Sequence, residues 1–503
     1  MKKVLKITLK VILIILIIIA SIFIFGGNWF ENYYNAISFN QLMFHLKVPT
    51  NGSNAETLYS FLNNCLLKII IVSSILITML FLIRVIKGYL VISIKRIKIN
   101  LNLKIFANIV YYLFTTFFIV FGFVFAYEKL SIKEYLASQF EFSNVYEKYY
   151  VDPEKTILEF PKKKKNLIFI LMESMESTYY DLNLISNLKK LTDENISFSD
   201  NDTYGGITQT TLTSWSFAGT VAATSGIGMN IPADGNVFTN MKASIFPGAY
   251  TIGEVLQSQG YNNYLIMGSD SKFAGTNQYF QQHGNYEIFD YNTAIKTGLV
   301  PKDYWEFWGI EDKKVYEVAK NKLSSISKEK EPFNMIVNTI DTHFTGYVDE
   351  TCPTPFNNVI YDSINCADIQ VYDFVNWIKS QPFYKNTTIV IMGDHLYMGN
   401  DFNNYNRHML NLFINSGIKD ANTNNRYFTT MDIYPTTLAS LGVKIDGDRL
   451  ALGTNLFSNK KTIYEEYGEE IQFELTKNSK YFNNNILYKK KSKDTSTCQV
   501  LTK

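Results

Sequence analysis

A chain of 503 residues is long enough for two or three domains, and at 47% hydrophobic and 19% charged it is more apolar than an ordinary soluble protein. A net charge of +2, without a basic stripe interleaved with aromatics, argues against a dedicated nucleic-acid binder. The apolar excess is local.

Ile12 to Phe25, Ile69 to Ile83 and Ile105 to Tyr127 are apolar runs that, with their flanks, each approach the roughly 20 residues a bilayer core requires. They predict three spans, over residues 8–27, 66–86 and 105–127, and make 1–127 a transmembrane region. Met1-Lys2-Lys3 gives the first run the basic start of a secretory signal, yet no small-x-small cleavage site follows Ala20, so an uncleaved anchor is expected. The stretch from Arg84 to Lys104 carries Arg84, Lys87, Lys95, Arg96, Lys98 and Lys104 and no acid, which assigns it to the cytoplasm. The loop from Gly26 to Asn64 is then external, as is everything after Tyr127. Cys65, at the edge of the second run, reads as packing. Cys352 and Cys366, in a Pro- and Asn-rich loop of an oxidising compartment, read as a local disulfide, and Cys498 has no evident partner.

Residues 128–165 form an aromatic, charge-mixed linker that closes with Lys162-Lys163-Lys164-Lys165. That cluster is either a contact for anionic headgroups or a solvated lead-in to a strand. From 166 to 457, short apolar runs alternate with helical patterns, which predicts an α/β domain with a mostly parallel central sheet flanked by helices. Strands are expected at Leu167 to Met172, Tyr264 to Met267, Met335 to Ile340, Ile389 to Met392 and Leu410 to Ile414. Thr251 to Gln259, stopped by Gly260, reads as a helix; so does the segment in which Val371, Phe374, Val375 and Ile378 share a face. Residues 458–503 are left as a C-terminal extension.

In parallel α/β sheets ligands bind beyond the carboxyl ends of the strands. There the chain is polar: Glu173 follows the first run, Asp341 and His343 the third, and Gly393, Asp394 and His395 the fourth. Glu173, Asp394 and His395 make an oxygen-rich set with one imidazole, which suits a hard or borderline divalent ion such as Mn²⁺ or Zn²⁺. A strand-terminal Asp alone more often caps a turn.

A nucleophile is harder to pick. Thr208, Thr210, Thr211, Thr213, Ser214, Ser216, Thr220, Thr224 and Ser225 crowd one segment, and spacing does not choose among them. Ser214 to Thr224 is Ala- and Gly-rich and ends near Gly226, so it predicts a tightly packed helix. A hydroxyl at its N-terminus would meet the positive end of the helix dipole, which suits a phosphate.

NLIFILMESMESTYY (Asn166 to Tyr180), the GDH of Gly393 to His395 and TMDIYPTTLASLGV (Thr430 to Val443) resemble the alkaline phosphatase and sulfatase superfamily. Within it the chain is similar to the membrane-anchored phosphoglycerol transferases, which include lipoteichoic acid synthases and the enzyme that decorates periplasmic glucans. KFAGTNQYFQQHG (Lys272 to Gly284), the DTHF of Asp341 to Phe344 and LALGTNLF (Leu450 to Phe457) resemble the glucan-modifying branch. The resemblance implies Glu173, Asp394 and His395 as metal ligands and Thr213 as both nucleophile and ligand, with Ser216 the alternative. It also implies His343 as a holder of the phosphoglycerol group. Where relatives carry Lys or Arg for the substrate phosphate, Thr276 stands here, and Lys272 is the candidate substitute.

The resemblance thus implies a metal-dependent phosphotransferase of the bacterial inner membrane, its catalytic domain facing the periplasm or outside. One divalent ion is expected, Mn²⁺ foremost, with Zn²⁺ or Mg²⁺ as alternatives. Glycerol phosphate would pass from phosphatidylglycerol to a glycan through a phospho-threonine. Transfer of phosphoethanolamine, and a non-catalytic glycan-binding membrane protein, stand as alternatives. A sulfatase is disfavoured, because no Cys or Ser followed by Pro and Arg at the required spacing surrounds Thr213.

Overall fold

The computed structural model describes residues 2–34, 59–94, 97–130, 132–201, 204–230, 244–418 and 421–489, which fall into two compact units. Cys498 lies outside them.

The smaller unit contains three helices long and apolar enough to cross a membrane: Val4–Asn32, Tyr59–Val85 and Leu103–Lys129. A hairpin of Tyr89–Ile94 and Ile97–Asn102 joins the second to the third. Many of their large side chains, such as Ile15 and Phe117, point outward, while Leu80, Ile83 and Tyr111 pack together with Leu13 and Ile14, and small and polar residues add close contacts between helices. Ala20 backs onto Gly122 so closely that a Cβ there would meet it at 2.9 Å. Ser73 donates to Ser21 (3.0 Å), and the Tyr111 hydroxyl to the Leu76 carbonyl (3.0 Å). Small residues and buried hydroxyls are what helix pairs use where lipid removes the hydrophobic drive.

The larger unit is built on a six-stranded sheet. Its strands are β1 (Asn166–Met172), β2 (Asn262–Met267), β3 (Glu287–Phe289), β4 (Phe333–Asn338), β5 (Thr387–Gly393) and β6 (Asn411–Ile414). They lie in the order β3-β2-β4-β1-β5-β6, and only the edge strand β6 runs antiparallel. Both faces are buried. Along β1, Leu167, Phe169 and Leu171 enter one core while Ile168, Ile170 and Met172 enter the other, so the strand reads as an unbroken apolar run. The alternating core expected of a mostly parallel α/β sheet is therefore present. The short β3 is an addition: three residues beginning with Glu leave no apolar run to find.

Helix α1 (Ser216–Ser225) starts two residues later than expected and ends at Gly226, whose φ of 67° is the left-handed cap that glycine favours. Helix α2 (Ile252–Ser258) opens with a capping box between Thr251 and Glu254. In α3 (Val359–Ser380) the side chains of Val371, Phe374, Val375 and Ile378 are all buried, as their spacing requires.

Within 458–489, Ile463, Tyr464, Ile471, Leu475, Phe482, Ile486 and Leu487 sit in the main core. On the other side, Val145, Tyr146 and Leu158 of the expected linker enter the same core, and Leu158–Glu159 pairs with Lys444–Ile445. Charged residues interleaved with these apolar positions hid them. Lys164 and Lys165 donate to the carbonyls of Gln259 and Asn415 (2.7 and 2.6 Å), which fits a lead-in to β1. Cys352 and Cys366 form a disulfide, and Cys65 is buried.

Candidate active site

The pairing of β1 with β5 sets Met172 opposite Gly393, so the next residues of each strand, Glu173 and Asp394, emerge side by side at the carboxyl edge. Gly393 makes this approach possible, since a Cβ there would lie 1.9 Å from the Met175 carbonyl oxygen. Ser174 turns the chain with a φ of 51°, and its N–H donates to Asp394 Oδ1 (2.9 Å). The His395 N–H donates to the same oxygen (2.8 Å), which leaves Asp394 Oδ2 for another partner. Thr339 receives the Glu173 N–H (3.0 Å), and Thr342 donates to the Glu173 carbonyl.

Glu173, Asp394 and His395 are all buried, and each offers a ligand atom within 4.8 Å of the others. His395 Nε2 lies 2.9 Å from Glu173 Oε1 and 3.7 Å from Asp394 Oδ2. His395 Nδ1 meets the Leu396 carbonyl at 2.7 Å, and since a carbonyl only accepts, Nδ1 carries a proton. Nε2 is then the atom free to ligate, with its ring oriented by the backbone as metal-binding histidines commonly are.

The fourth group is Ser216, the first residue of α1. Its Oγ donates to Glu173 Oε2 at 2.9 Å and lies 3.1 Å from His395 Nε2. Every later residue of this helix is buried.

Charge in the cluster is balanced around a cation. Burial pushes Asp394 up to about 7, aided by the neighbouring Glu173. Burial also opposes ionisation of Glu173, yet the charge and hydrogen bond of His395 hold it down at about 2. Against its own burial, His395 is raised to about 10 by Asp394 and Glu173. Two buried carboxylates that stabilise positive charge this strongly, with an imidazole nitrogen and a hydroxyl oxygen converging on them, fit a divalent metal.

Thr213 is the residue expected as nucleophile and ligand. Fully buried, its Oγ1 accepts the Thr210 N–H (3.0 Å) and donates to the Thr210 carbonyl (3.2 Å), closing a turn on its own loop. The hydroxyl within hydrogen-bond distance of Glu173 is that of Ser216, the expected alternative, three residues further on at the start of α1. His343 joins the site from beyond β4, within electrostatic range of Glu173 and His395. Burial holds its imidazole below the ordinary value, and its Nδ1 meets the Phe344 carbonyl at 2.8 Å. Lys272 is exposed, on the turn just before Phe273. The Thr276 hydroxyl donates to the Phe273 carbonyl (3.0 Å).

Supporting residues that the sequence did not single out hold the loop after His395. Gln209 Oε1 accepts the Leu396 N–H (2.7 Å), and Glu176 Oε1 accepts that of Tyr397 (2.8 Å). Arg407 clamps Glu176 and also donates to the Tyr397 carbonyl (2.6 Å). Glu176 stood in the ESMES motif; its partner, 231 residues away, carried no local signal.

Comparison with known proteins gives this geometry its relatives. Residues 165–443 match the Sulfatase family. Phosphoglycerol transferase I of Salmonella choleraesuis (strain SC-B67) is 31% identical over 328 residues, 62% of this chain and 41% of that protein. Phosphoglycerol transferase I of Salmonella typhimurium (strain LT2) is 32% identical over 263 residues, 50% of this chain and 33% of that protein. This chain thus spans less than half the length of these curated relatives. Among solved structures, the lipoteichoic acid synthase LtaP from Listeria monocytogenes superposes with a TM-score of 0.46 at 15% identity, over 62% of this chain and 80% of that one. The phosphoethanolamine transferase EptA from Neisseria meningitidis gives 0.46 at 11%, over 86% and 84%. The family match covers more than half of the chain and includes Glu173, Ser216, Asp394 and His395, and the chain belongs to the sulfatase family.

Proposed function

We propose that this protein is a phosphotransferase that moves glycerol phosphate from phosphatidylglycerol to a hydroxyl of a periplasmic or cell-surface glycan, through a covalent phosphoester on Ser216. The observation that carries the reading is the Ser216 hydroxyl at the N-terminus of α1, 2.9 Å from Glu173 and 3.1 Å from His395. The names of the curated relatives support the headgroup, and three helices able to cross a membrane support a lipid donor. The basic residues of the loop between the second and third helices support a catalytic unit on the outer side of a bacterial inner membrane.

In the first half-reaction Ser216 Oγ attacks phosphorus, an O–P bond forms, and the bond from phosphorus to the diacylglycerol oxygen breaks. The serine proton ends on the departing alcohol. In the second half, an acceptor hydroxyl attacks the same phosphorus and Ser216 leaves, taking back a proton. Glu173, Asp394, His395 and Ser216 would hold one divalent ion, Mn²⁺ foremost with Zn²⁺ or Mg²⁺ as alternatives, which neutralises phosphoryl charge and acidifies the serine hydroxyl. The α1 N-terminus adds its dipole on the same side of the phosphate. His343 is held neutral, with Nδ1 protonated toward Phe344, so it accepts a hydrogen bond from the headgroup and does not protonate the leaving oxygen.

The full chain in mixed micelles, given a glycan acceptor and either headgroup-labelled phosphatidylglycerol or phosphatidylethanolamine, tests this reading. Label should reach the glycan from phosphatidylglycerol. Transfer from phosphatidylethanolamine alone would establish the phosphoethanolamine alternative, and transfer from neither lipid by metal-loaded protein would leave a non-catalytic glycan binder.

A further inference from the structure

Beside His343 lies a residue with no assigned role. The Trp308 ring packs on the His343 ring at 4.7 Å between centroids, and Phe273, next to Lys272, meets the indole edge-on at 5.8 Å. Trp308 is 7% exposed, and its Nε1–H is buried with no acceptor among the described residues. A buried donor without a partner destabilises the fold, so a position that keeps one calls for an explanation.

The surrounding loop is built to hold that ring still. Glu306 and Gly309 exchange both backbone hydrogen bonds (2.9 and 2.8 Å), and the Ile310 N–H donates to the Gly268 carbonyl just beyond β2 (3.0 Å). Gly309, at a φ of 143°, sits so close to that carbonyl that a Cβ would meet it at 2.3 Å. Phe307, at a φ of 53°, turns the chain before the indole and stacks on Tyr347 at 6.1 Å. Trp308 is therefore fixed at the carboxyl edge of the sheet, on the side from which His343 reaches the cluster.

We propose that Trp308 is a substrate-binding residue that selects a hydroxylated headgroup. Resting on the phosphoglycerol reading, the inference names the contact that reads the glycerol. His343 offers an acceptor, because Nδ1–H is bound to Phe344 and Nε2 holds the lone pair. Trp308 offers a donor. An acceptor and a donor on rings packed at 4.7 Å complement hydroxyl groups, which both give and take hydrogen bonds. An ammonium headgroup has only donors and would leave the indole N–H unmatched. Thr276 takes no such part, since its own hydroxyl is held by the Phe273 carbonyl.

Trp308→Phe keeps an aromatic ring against His343 and removes the N–H. The full chain is assayed with phosphatidylglycerol and with phosphatidylethanol, whose headgroup has no hydroxyl. The variant should lose about tenfold in kcat/KM toward phosphatidylglycerol, the factor that one net hydrogen bond supplies, and nothing toward phosphatidylethanol. Equal losses toward both lipids would make Trp308 a packing residue and overturn the proposal, as would an unchanged preference for phosphatidylglycerol. Wild-type protein that uses neither lipid would instead refute the phosphoglycerol reading itself. Circular dichroism of the variant, with Trp308→Tyr as a second ring-retaining substitution, separates misfolding from loss of the contact: a folded Tyr variant with the same lipid-specific loss supports the assignment, and one without it overturns it.

Discussion

Gly219 rests directly on the backbone of Asp394: a Cβ at position 219 would lie 2.1 Å from the Asp394 carbonyl oxygen. This backbone-to-backbone contact sets the depth at which α1 sits, and with it the reach of Ser216 to Glu173. Gly219→Ala must lift the helix from the β5 edge. Overpacking of this kind costs about 1–3 kcal/mol, while a displacement near 1 Å at a nucleophile costs roughly a hundredfold in rate. The variant should fold, with a modestly lower Tm, and show a kcat reduced about a hundredfold. A kcat within threefold of wild type would show that the contact does not position the serine.

The cluster predicts metal dependence. Dialysis against a chelator should abolish transfer, and adding back Mn²⁺ or Zn²⁺ should restore it. Asp394→Asn and Glu173→Gln should lower bound metal, measured by plasma mass spectrometry, and reduce turnover by about a thousandfold. Full activity in chelated, metal-free protein would contradict the assignment of these ligands.

The Glu176–Arg407 pair holds the loop that begins at His395. Glu176 is wholly buried and Arg407 is 12% exposed at its side chain, so removing the cation strands a carboxylate in the interior. Arg407→Ala should cost about 3–5 kcal/mol, read as a large drop in Tm. Arg407→Lys should recover only part of it, since an ammonium lacks the fork that engages both Glu176 oxygens and the Tyr397 carbonyl.

Asp368 provides a pH signature away from the active site. In α3 it is buried, and its carboxylate accepts the N–H groups of Asn187 and Leu188 (3.0 and 2.7 Å). Burial nevertheless pushes it up to about 6. The unfolded value is near 3.9, so the folded state keeps the proton over a range where the unfolded chain has lost it. The stabilising contribution is full below about pH 4 and is lost as pH rises through about 6. Asp368→Asn does not titrate. Between pH 4.5 and 7.5 wild type should therefore lose about 2 kcal/mol relative to this variant in chemical denaturation. A constant difference, or one of opposite sign, would refute the shift.

The sheet was legible because strands buried on both faces carry continuous apolar runs, as Leu167 to Met172 of β1, Met335 to Val337 of β4 and Ile389 to Met392 of β5 do. The cluster was legible for a related reason: Glu173, Asp394 and His395 directly follow such runs, and a parallel sheet delivers such residues to one edge. Ser216 was only half legible. Its neighbours are all hydroxyls or small residues, and which of them reaches Glu173 depends on where α1 starts and on the Gly219 contact, both set by tertiary packing. Trp308 left no signal at all, since its meaning lies in an unpaired N–H beside a histidine 35 residues away. Tail residues such as Ile471 and Ile486 were hidden by the charges between them.

The central claim is that Ser216 is the nucleophile. Full-length, metal-loaded protein incubated with phosphatidylglycerol and no acceptor should accumulate a glycerol phosphate ester, and peptide mass spectrometry should place it on Ser216. The adduct should vanish in Ser216→Ala and persist in Thr213→Ala. An adduct on Thr213, persisting in Ser216→Ala, would contradict the account.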